Sequence, residues 1–139
     1  MTSRVSADEA NAFLREAFDG AQSRSEVILM EDGHAMMRLK AGSEHLRPGG
    51  YVSGPTQMTM ADSVTYMAIF TRLGITPMTV TSNLNMNFLR PCIGESVIAE
   101  AKLLKLGRTL AVAEVEIRAE GSDKVASHAI VTYSIPQET

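Results

Sequence analysis

Tryptophan is absent from the 139 residues of this chain, and cysteine occurs only once, at Cys92. A single cysteine cannot form a disulfide within the chain, which is typical of proteins that work in a reducing compartment. We therefore expect a cytoplasmic protein whose fold is held together by its apolar core. Because 45% of the residues are hydrophobic, the chain has enough apolar side chains for one domain over residues 1–139.

An excess of basic residues is also missing, since 13 Lys and Arg stand against 16 Asp and Glu and the net charge is −3. That balance disfavours a nucleic acid as the partner. No run of about 18 uncharged apolar residues occurs, so no membrane-spanning helix is predicted. The opening MTSRVSADEA has no apolar run behind a basic start, and a secretory signal is therefore not expected.

Two segments are predicted to be helical. Within residues 1–20, Ser6 and Glu9 match the S-x-x-E capping box, and Gly20 is the expected stop. Residues 56–73 are apolar almost all round, and such a helix should be buried on most sides. The apolar positions of this central helix are Met58, Met60, Ala61, Val64, Met67, Ala68, Ile69, Phe70 and Leu73.

Alternation of apolar and polar residues predicts six strands. Two early strands flank the hairpin-forming dipeptide Asp32-Gly33, and four later strands follow the central helix. The predicted strands are residues 26–31, 34–40, 79–89, 96–106, 108–120 and 124–135. The segment 46–55, LRPGGYVSGP, is expected to be a loop because it is rich in glycine and proline.

The four later strands are joined by short connections, which predicts an antiparallel meander with one buried face. In the first of them, Val80, Leu84, Met86 and Phe88 are predicted to share one face, opposite Thr81, Asn83, Asn85 and Asn87. One sheet wrapped round one buried helix gives an α+β fold.

Asp62 is the only acidic residue between Pro55 and Leu73, and its neighbours are apolar. A buried carboxylate is costly unless it is paired or hydrogen-bonded. Desolvation would raise the pKa of such a carboxyl group toward the range that suits a general base. The sequence equally allows a solvated acid on a narrow exposed stripe, or an acid favoured by the helix dipole.

Ser53, Gly54 and Pro55 come directly before the central helix, whose first turn should present free backbone N–H groups. Such groups can polarise a carbonyl oxygen and stabilise an oxyanion, and Gly54 has no side chain to obstruct the approach. The alternative is a Gly-Pro turn that only starts a helix. Ser53 does not lie in a G-x-S-x-G sequence, so we do not predict a serine nucleophile.

Two methionines of the central helix and two basic residues near residue 107 each allow two interpretations of their role. Met58 and Met67 are either flexible core filler or a plastic lining for an apolar ligand. Lys105 and Arg108 lie around one strand end, where they form a solvated edge or hold the phosphates of a nucleotide-bearing ligand.

Two runs, GYVSGPTQMTMADSVTYMA and TVTSNLNMNFLRPCIGESVIAEAKLLKLGRTLAVAEVEI, resemble the hotdog-fold acyl-CoA thioesterases of the phenylacetate-degradation (PaaI-like) type. The likeness extends over residues 46–136, and its most specific pieces are MADSV, NFLRP followed by IGES, and LLKLGRTLA. It implies a hotdog fold, in which a curved antiparallel sheet wraps round one long central helix. It also implies a homodimer or a dimer of dimers, paired through strand 79–89. CoA would be part of the substrate, and no separate cofactor or metal is expected.

The resemblance further implies roles for single residues. Asp62 would act as general base or nucleophile on the thioester, the N–H of Gly54 from the other subunit would polarise its carbonyl, and Thr81 would hold the attacking water. The CoA nucleotide would contact the region of Lys105, Gly107 and Arg108. The remaining predicted substrate contacts are Arg47, Ser53, Met58, Met67, Asn83 and Phe88. Of these, Met58, Met67 and Phe88 are our own prediction for the acyl pocket and do not come from the resemblance.

The sequence departs from the commonest pattern of that family at two places. An H-G-G motif is usual where Ser53-Gly54-Pro55 stands, and Asn is usual where Arg47 stands. Two functions therefore stay open: hydrolysis of an acyl-CoA thioester, and binding of acyl-CoA by a non-catalytic dimer. Arg47 is either a solvated loop residue or the partner of an anion. For that anion, Asp62 of the partner subunit or a carboxylate on the acyl group ranks above a CoA phosphate.

Overall fold

The computed structural model describes residues 2–18 and 25–137. The elements in this part of the chain are α1 (Ala7–Ala17), β1 (Ser25–Glu31), β2 (His34–Lys40), β3 (Leu46–Arg47), β4 (Tyr51–Val52), α2 (Gly54–Leu73), β5 (Val80–Phe88), β6 (Ser96–Leu106), β7 (Leu110–Ala119) and β8 (Ser127–Ser134). Neither of these two described helices is long and apolar enough to cross a membrane.

Six of the strands form one antiparallel sheet in the order β1-β2-β6-β7-β8-β5, while β3 and β4 form a separate small hairpin. The predicted meander is confirmed for β6, β7 and β8. It is wrong for β5, which pairs with β8, from Val80 opposite Ser134 to Phe88 opposite Ser127. The connection over residues 89–95 is too long for a tight hairpin, and it carries the chain from the sheet edge to the centre.

Helix α2 packs on one face of the sheet, mainly against β6, β2 and β7. Its largest fully buried side chains include Val64, Met67, Ile69 and Phe70, so the predicted burial of the central helix is confirmed. The helix begins at Gly54 rather than at residue 56, because a proline fits the first turn. Ser53 caps this start, since its Oγ accepts a hydrogen bond from the Thr56 N–H at 3.2 Å. Gly74, with φ of 80°, ends the helix.

Local predictions elsewhere have mixed outcomes. The capping box of α1 is confirmed, because Ser6 Oγ accepts from the Glu9 N–H at 3.1 Å and Glu9 Oε1 accepts from the Ser6 N–H at 3.0 Å. The expected stop at Gly20 lies outside the described residues. The first hairpin is confirmed, with Gly33 in the left-handed region at φ of 71°. The segment 46–55 was predicted to be a loop, but it contains β3, β4 and the first residues of α2.

The two edges of the sheet, β1 and β5, are covered differently. Asn11 of α1 hydrogen-bonds the backbone of Val27 in β1, accepting from its N–H at 2.8 Å and donating to its carbonyl at 3.0 Å. No described strand pairs with the outer edge of β5, and its Val80 and Phe88 side chains are 58% and 50% exposed. A long edge strand with unpaired backbone groups promotes pairing with another chain, so β5 is where we expect a second copy to dock.

We predict that the chain forms a dimer, or a multiple of a dimer, through β5. A two-fold axis brings each strand close to its own copy, so Asn85→Asp in the middle of β5 should set like charges near each other. Sedimentation equilibrium at low salt should show a dimer Kd about two- to five-fold weaker. Ala12→Glu adds the same charge on the exposed side of α1 and should leave the Kd unchanged. A 15.0 kDa monomer at micromolar concentration would contradict the prediction.

Candidate active site

The carboxylate of Asp62 on α2 is held by two hydroxyl groups from the sheet. The Thr81 hydroxyl of β5 donates to Asp62 Oδ1, and the Tyr133 hydroxyl of β8 lies 2.9 Å from the same oxygen. The Tyr133 hydroxyl is also 2.9 Å from the backbone oxygen of Asp62. The side chain is partly exposed, which lies between a buried acid and a solvated acid on an exposed stripe. Asp62 stands eight positions after Gly54, beyond the first turn of α2 where the helix dipole acts. It lies at the boundary of the core with its own hydrogen-bond donors.

A β-bulge in β5 brings the two hydroxyl groups side by side. Thr81 pairs with Tyr133 across the two strands, and Asn83 pairs with Thr132, so Ser82 is an extra residue without a partner on β8. Bulges re-aim side chains and are common next to active sites. Here the bulge lets both hydroxyl groups point toward α2.

The bulge also corrects the predicted faces of β5. Strict alternation placed Thr81 opposite Leu84. Because of the extra residue, Thr81 shares the inner face with Leu84, and Val80 turns outward instead. The prediction that Val80 lies on the face of Leu84 was wrong, since a period-2 pattern assumes that no residue is inserted.

Tyr133 is the site residue that the sequence analysis did not single out, because an apolar position of an alternating strand gives no sign of a role in a site. Its side chain is 4% exposed, and its ring stacks on Tyr66 with the centroids 5.9 Å apart. Burial raises the pKa of Tyr133 far above its ordinary value, so its hydroxyl stays a donor at neutral pH. A signal existed, since a buried tyrosine hydroxyl needs a polar partner and the acid on the central helix offers one.

Asp62, Thr81 and Tyr133 open into a cleft of about 510 Å³, here called the Asp62 cleft. Its other lining residues are Leu14, Phe18, Thr59, Ser63, Tyr66, Pro77, Thr79 and Val80. Apolar walls around a few convergent polar groups are the usual form of a small-molecule site.

A second cleft of about 470 Å³, the Gly54 cleft, lies where the β3–β4 hairpin, the start of α2 and the end of β5 meet. Its lining residues are Arg47, Tyr51, Val52, Gly54, Gln57, Phe88, Leu89, Arg90, Pro91 and Cys92. Among the described residues, the Gly54 N–H has no backbone acceptor. A Cβ at this position would make an ordinary contact with the Phe88 ring at 3.5 Å, so Phe88 lies directly beside Gly54.

Within one chain the two clefts are separate. Gly54 and Asp62 are eight positions apart on α2, which corresponds to about 12 Å along the helix axis. Strand β5 links the clefts, because Thr81 near its start contacts Asp62 and Phe88 at its end lies beside Gly54. Neither cleft of a single chain contains both the carboxylate and the glycine N–H.

The charges of the Gly54 cleft come from Arg47 and Arg90. Both side chains are exposed, and no acidic side chain of the described residues pairs with either guanidinium. An anion that enters this cleft would therefore meet two free fork-shaped donors. Asp62 of the same chain lines the other cleft, so Arg47 does not contact it within one chain.

The remaining predicted substrate contacts lie apart from the two clefts. Met67 is fully buried in the core, which agrees with the filler interpretation and not with a place in the acyl pocket. Met58 is 43% exposed on α2 but lines neither cleft. Ser53 serves as the cap of α2, and Asn83 is exposed on the outer face of β5.

The predicted nucleotide contacts are at the β6–β7 turn, which lies outside both clefts. The Gly107 N–H donates to the Leu110 carbonyl at 2.8 Å and closes this turn. Arg108 Nε donates to Gln137 Oε1 at 3.2 Å, while Lys105 is exposed. These contacts stabilise the turn. That the turn contacts CoA stays a prediction.

Comparison with known proteins identifies the family of this chain. Residues 49–126 match the Thioesterase superfamily. The crystal structure of a candidate thioesterase from Silicibacter sp. TM1040 is 36% identical, with a TM-score of 0.90 over 99% of this chain and 96% of that one. Acyl-coenzyme A thioesterase 13 of Mus musculus is 26% identical over 110 residues, which are 78% of this chain and 77% of that protein.

The E. coli PaaI protein from the phenylacetic acid degradation operon is similar in structure. Its TM-score is 0.78 over 96% of this chain and 97% of that chain, but its sequence is 20% identical. That similarity shows the fold alone, so the PaaI-like type is not confirmed.

The superfamily match covers more than half of the chain, from the β3–β4 hairpin to the start of β8. The antiparallel sheet with one long central helix is the hotdog fold that the sequence predicted. This chain is therefore a member of the thioesterase superfamily with the hotdog fold.

Proposed function

We propose that this protein hydrolyses an acyl-CoA thioester to a carboxylic acid and free CoA, with Asp62 as the reacting carboxylate. The observation that carries the proposal is the cluster of Asp62, Thr81 and Tyr133 at the wall of a cleft. A relative that shares most of the chain is named an acyl-coenzyme A thioesterase, which supports CoA as the leaving group.

The complete site is proposed to form between two copies of the chain. The outer edge of β5 has no partner strand among the described residues, and antiparallel pairing of two such strands brings opposite ends together. The Thr81 end of one strand would then lie beside the Phe88 end of the other. Asp62 would face Gly54 of the partner subunit, which joins the Asp62 cleft of one chain to the Gly54 cleft of its partner.

In such a shared site the reaction follows from the donors and acceptors present. Asp62 takes a proton from water, and the water oxygen attacks the thioester carbonyl. The N–H of Gly54 from the partner subunit stabilises the oxyanion, as free N–H groups at a helix start do. The C–S bond then breaks, and the proton is available for the departing CoA sulfur. Direct attack by Asp62 on the carbonyl, followed by hydrolysis of the anhydride, requires the same carboxylate.

Thr81 has a defined part in this scheme. Its single hydroxyl proton is directed to Asp62 Oδ1, so its oxygen lone pairs are free to accept a hydrogen bond from water. A water held by Thr81 and by the second oxygen of Asp62 would be oriented for attack. The proposed water-holding role of Thr81 is therefore compatible with its contact to Asp62.

A second candidate function is binding of acyl-CoA without hydrolysis. The reason to consider this function is Ser53, which stands where the related enzymes commonly carry a histidine. The Ser53 side chain only caps α2. The hydroxyl cluster around Asp62 favours the enzyme, because a simple binding cleft does not need an oriented carboxylate. Release of free CoA from a panel of acyl-CoA compounds, followed with a thiol reagent, distinguishes the two functions.

We predict that Asp62→Asn lowers kcat by about 10² to 10⁴, as loss of a general base does, while the affinity for CoA changes little. The amide keeps the shape and can still accept hydrogen bonds from Thr81 and Tyr133. Asp32→Asn is the matched control, because Asp32 pairs with Arg72 at 3.2 Å and lies outside the Asp62 cleft. If Asp62→Asn turned over the best substrate at the wild-type rate, Asp62 would not be the reacting group.

Arg47 gives a prediction about the acyl group. Its guanidinium lies in the Gly54 cleft without an acidic partner among the described residues, so Arg47→Ala should selectively raise KM for acyl groups that carry a carboxylate. A rise in KM of about ten-fold or more for these substrates fits the removal of a charged hydrogen bond. Arg47 could instead pair with Asp62 of the partner subunit. In that case the acidic limb of the pH–rate profile of Arg47→Ala should move to higher pH for every substrate.

The control for Arg47 is Lys124→Ala, which removes one positive charge from the connection between β7 and β8. Arg90→Ala tests the other guanidinium of the same cleft. Steady-state kinetics with a neutral and a carboxylate-bearing acyl-CoA, each measured across pH, separate these outcomes. No change in KM or in the pH profile would leave Arg47 as a solvated loop residue.

A further inference from the structure

Tyr133 contacts Asp62 through a hydroxyl group that has little freedom to move. The residue belongs to β8, where it is paired with Thr81 on one side and with Ala111 on the other. Its ring is buried and stacks on Tyr66, whose own hydroxyl donates to the Pro77 carbonyl at 2.8 Å. The sheet and the ring stack therefore fix the position of the Tyr133 hydroxyl relative to α2.

The two oxygens of the Asp62 carboxylate have different surroundings. Oδ1 accepts from Thr81 and is 2.9 Å from the Tyr133 hydroxyl. Oδ2 has no hydrogen-bond donor among the described side chains. The Tyr133 hydroxyl is also 2.9 Å from the backbone oxygen of Asp62, so its single proton is shared between these two acceptors. Rotation of the carboxylate would break the two contacts to Oδ1.

We propose that Tyr133 is a positioning residue that holds Asp62 by Oδ1 and leaves Oδ2 as the oxygen that takes the proton or attacks the thioester. This proposal rests on the proposed hydrolysis of a thioester by Asp62. Tyr133 acts through Asp62 and does not itself touch the reacting atoms.

The test is Tyr133→Phe, which keeps the ring and removes only the hydroxyl. We expect kcat to fall by about ten- to a hundred-fold, the range for loss of a hydrogen bond to a charged group, with KM nearly unchanged. With one donor fewer, Asp62 should ionise at a higher pH, so the acidic limb of the pH–rate profile should move to higher pH. A merely structural role would not move that limb.

Thr71→Val is the matched control, because it also removes a buried hydroxyl that has two hydrogen bonds. Thr71 Oγ1 accepts from the Gly33 N–H at 2.9 Å and donates to the Ala68 carbonyl, and Thr71 lines neither cleft. Thermal unfolding should show both variants to be less stable. Only Tyr133→Phe should change kcat and the pH profile.

Three results would overturn the positioning role. The first is that Tyr133→Phe keeps the wild-type kcat and pH profile while Asp62→Asn is inactive. That result would contradict the positioning role but not the proposed hydrolysis by Asp62. Another is an equal fall in kcat for Thr71→Val, which would show a general loss of structure. The third is full activity of Asp62→Asn, which would remove the proposed hydrolysis by Asp62 as well.

A second replacement tests the proposal even if Tyr133→Phe does not fold. Site-specific 3-fluorotyrosine at position 133 keeps the ring and the hydroxyl but makes the phenol a stronger hydrogen-bond donor. A stronger donor stabilises the carboxylate further, so the acidic limb should move to lower pH. An unchanged limb would contradict the proposal.

Discussion

A carboxylate on an apolar helix has to be satisfied by donors from another element, and here they come from two neighbouring strands. Asp62 belongs to α2, most of whose side chains from Met60 to Thr71 are buried. Without Thr81 and Tyr133, one oxygen of the carboxylate would lie against the core edge with no donor, which costs free energy. The pairing of β5 with β8 sets these two hydroxyl groups directly opposite each other. The register of the sheet edge is thus linked to the position of a single carboxylate on the helix.

The same edge explains why the functional groups are divided between two clefts. Strand β5 runs along α2 from Asp62 to the helix start, with Thr81 near one end and Phe88 at the other. Its outer edge has no partner among the described strands, and its Val80 and Phe88 side chains are exposed. A two-fold pairing through this edge would bury them and would also place each carboxylate opposite the open N–H of Gly54 from the partner subunit. Stability of the assembly and completion of the site would then come from one contact.

Signals that are local in sequence predicted their structures well. The capping box at Ser6 and Glu9 and the all-round apolar pattern of residues 56–73 gave helices close to those observed. The hairpin at Asp32-Gly33 was also confirmed. These features depend on neighbouring residues only, so a single sequence contains the needed information. The choice of Asp62 came from a lone acid in an apolar segment, supported by a resemblance.

Features that depend on distant contacts were not predictable in the same way. The pairing of β5 with β8 joins segments about 50 residues apart, and a period-2 pattern does not state which strands are neighbours. The bulge at Ser82 leaves no mark in the alternation, so Thr81 was assigned to the wrong face. Tyr133 has the same inward pattern as a core residue, and only the three-dimensional contact shows its hydroxyl on Asp62. A helix that is apolar all round also cannot indicate which of its methionines faces a ligand, and Met67 is one that lies fully buried in the core.

Activity of mixed dimers tests most directly whether one site draws on two chains. Gly54→Pro removes the proposed oxyanion N–H at a helix position that accepts proline, and it can be combined with Asp62→Asn on a differently tagged chain. If each site takes Asp62 from one chain and Gly54 from the other, a mixed dimer has one site with both changes and one intact site. Random mixing of the two inactive variants should then restore about a quarter of the wild-type activity. Purified mixed dimers that are no more active than either variant alone would contradict a shared site.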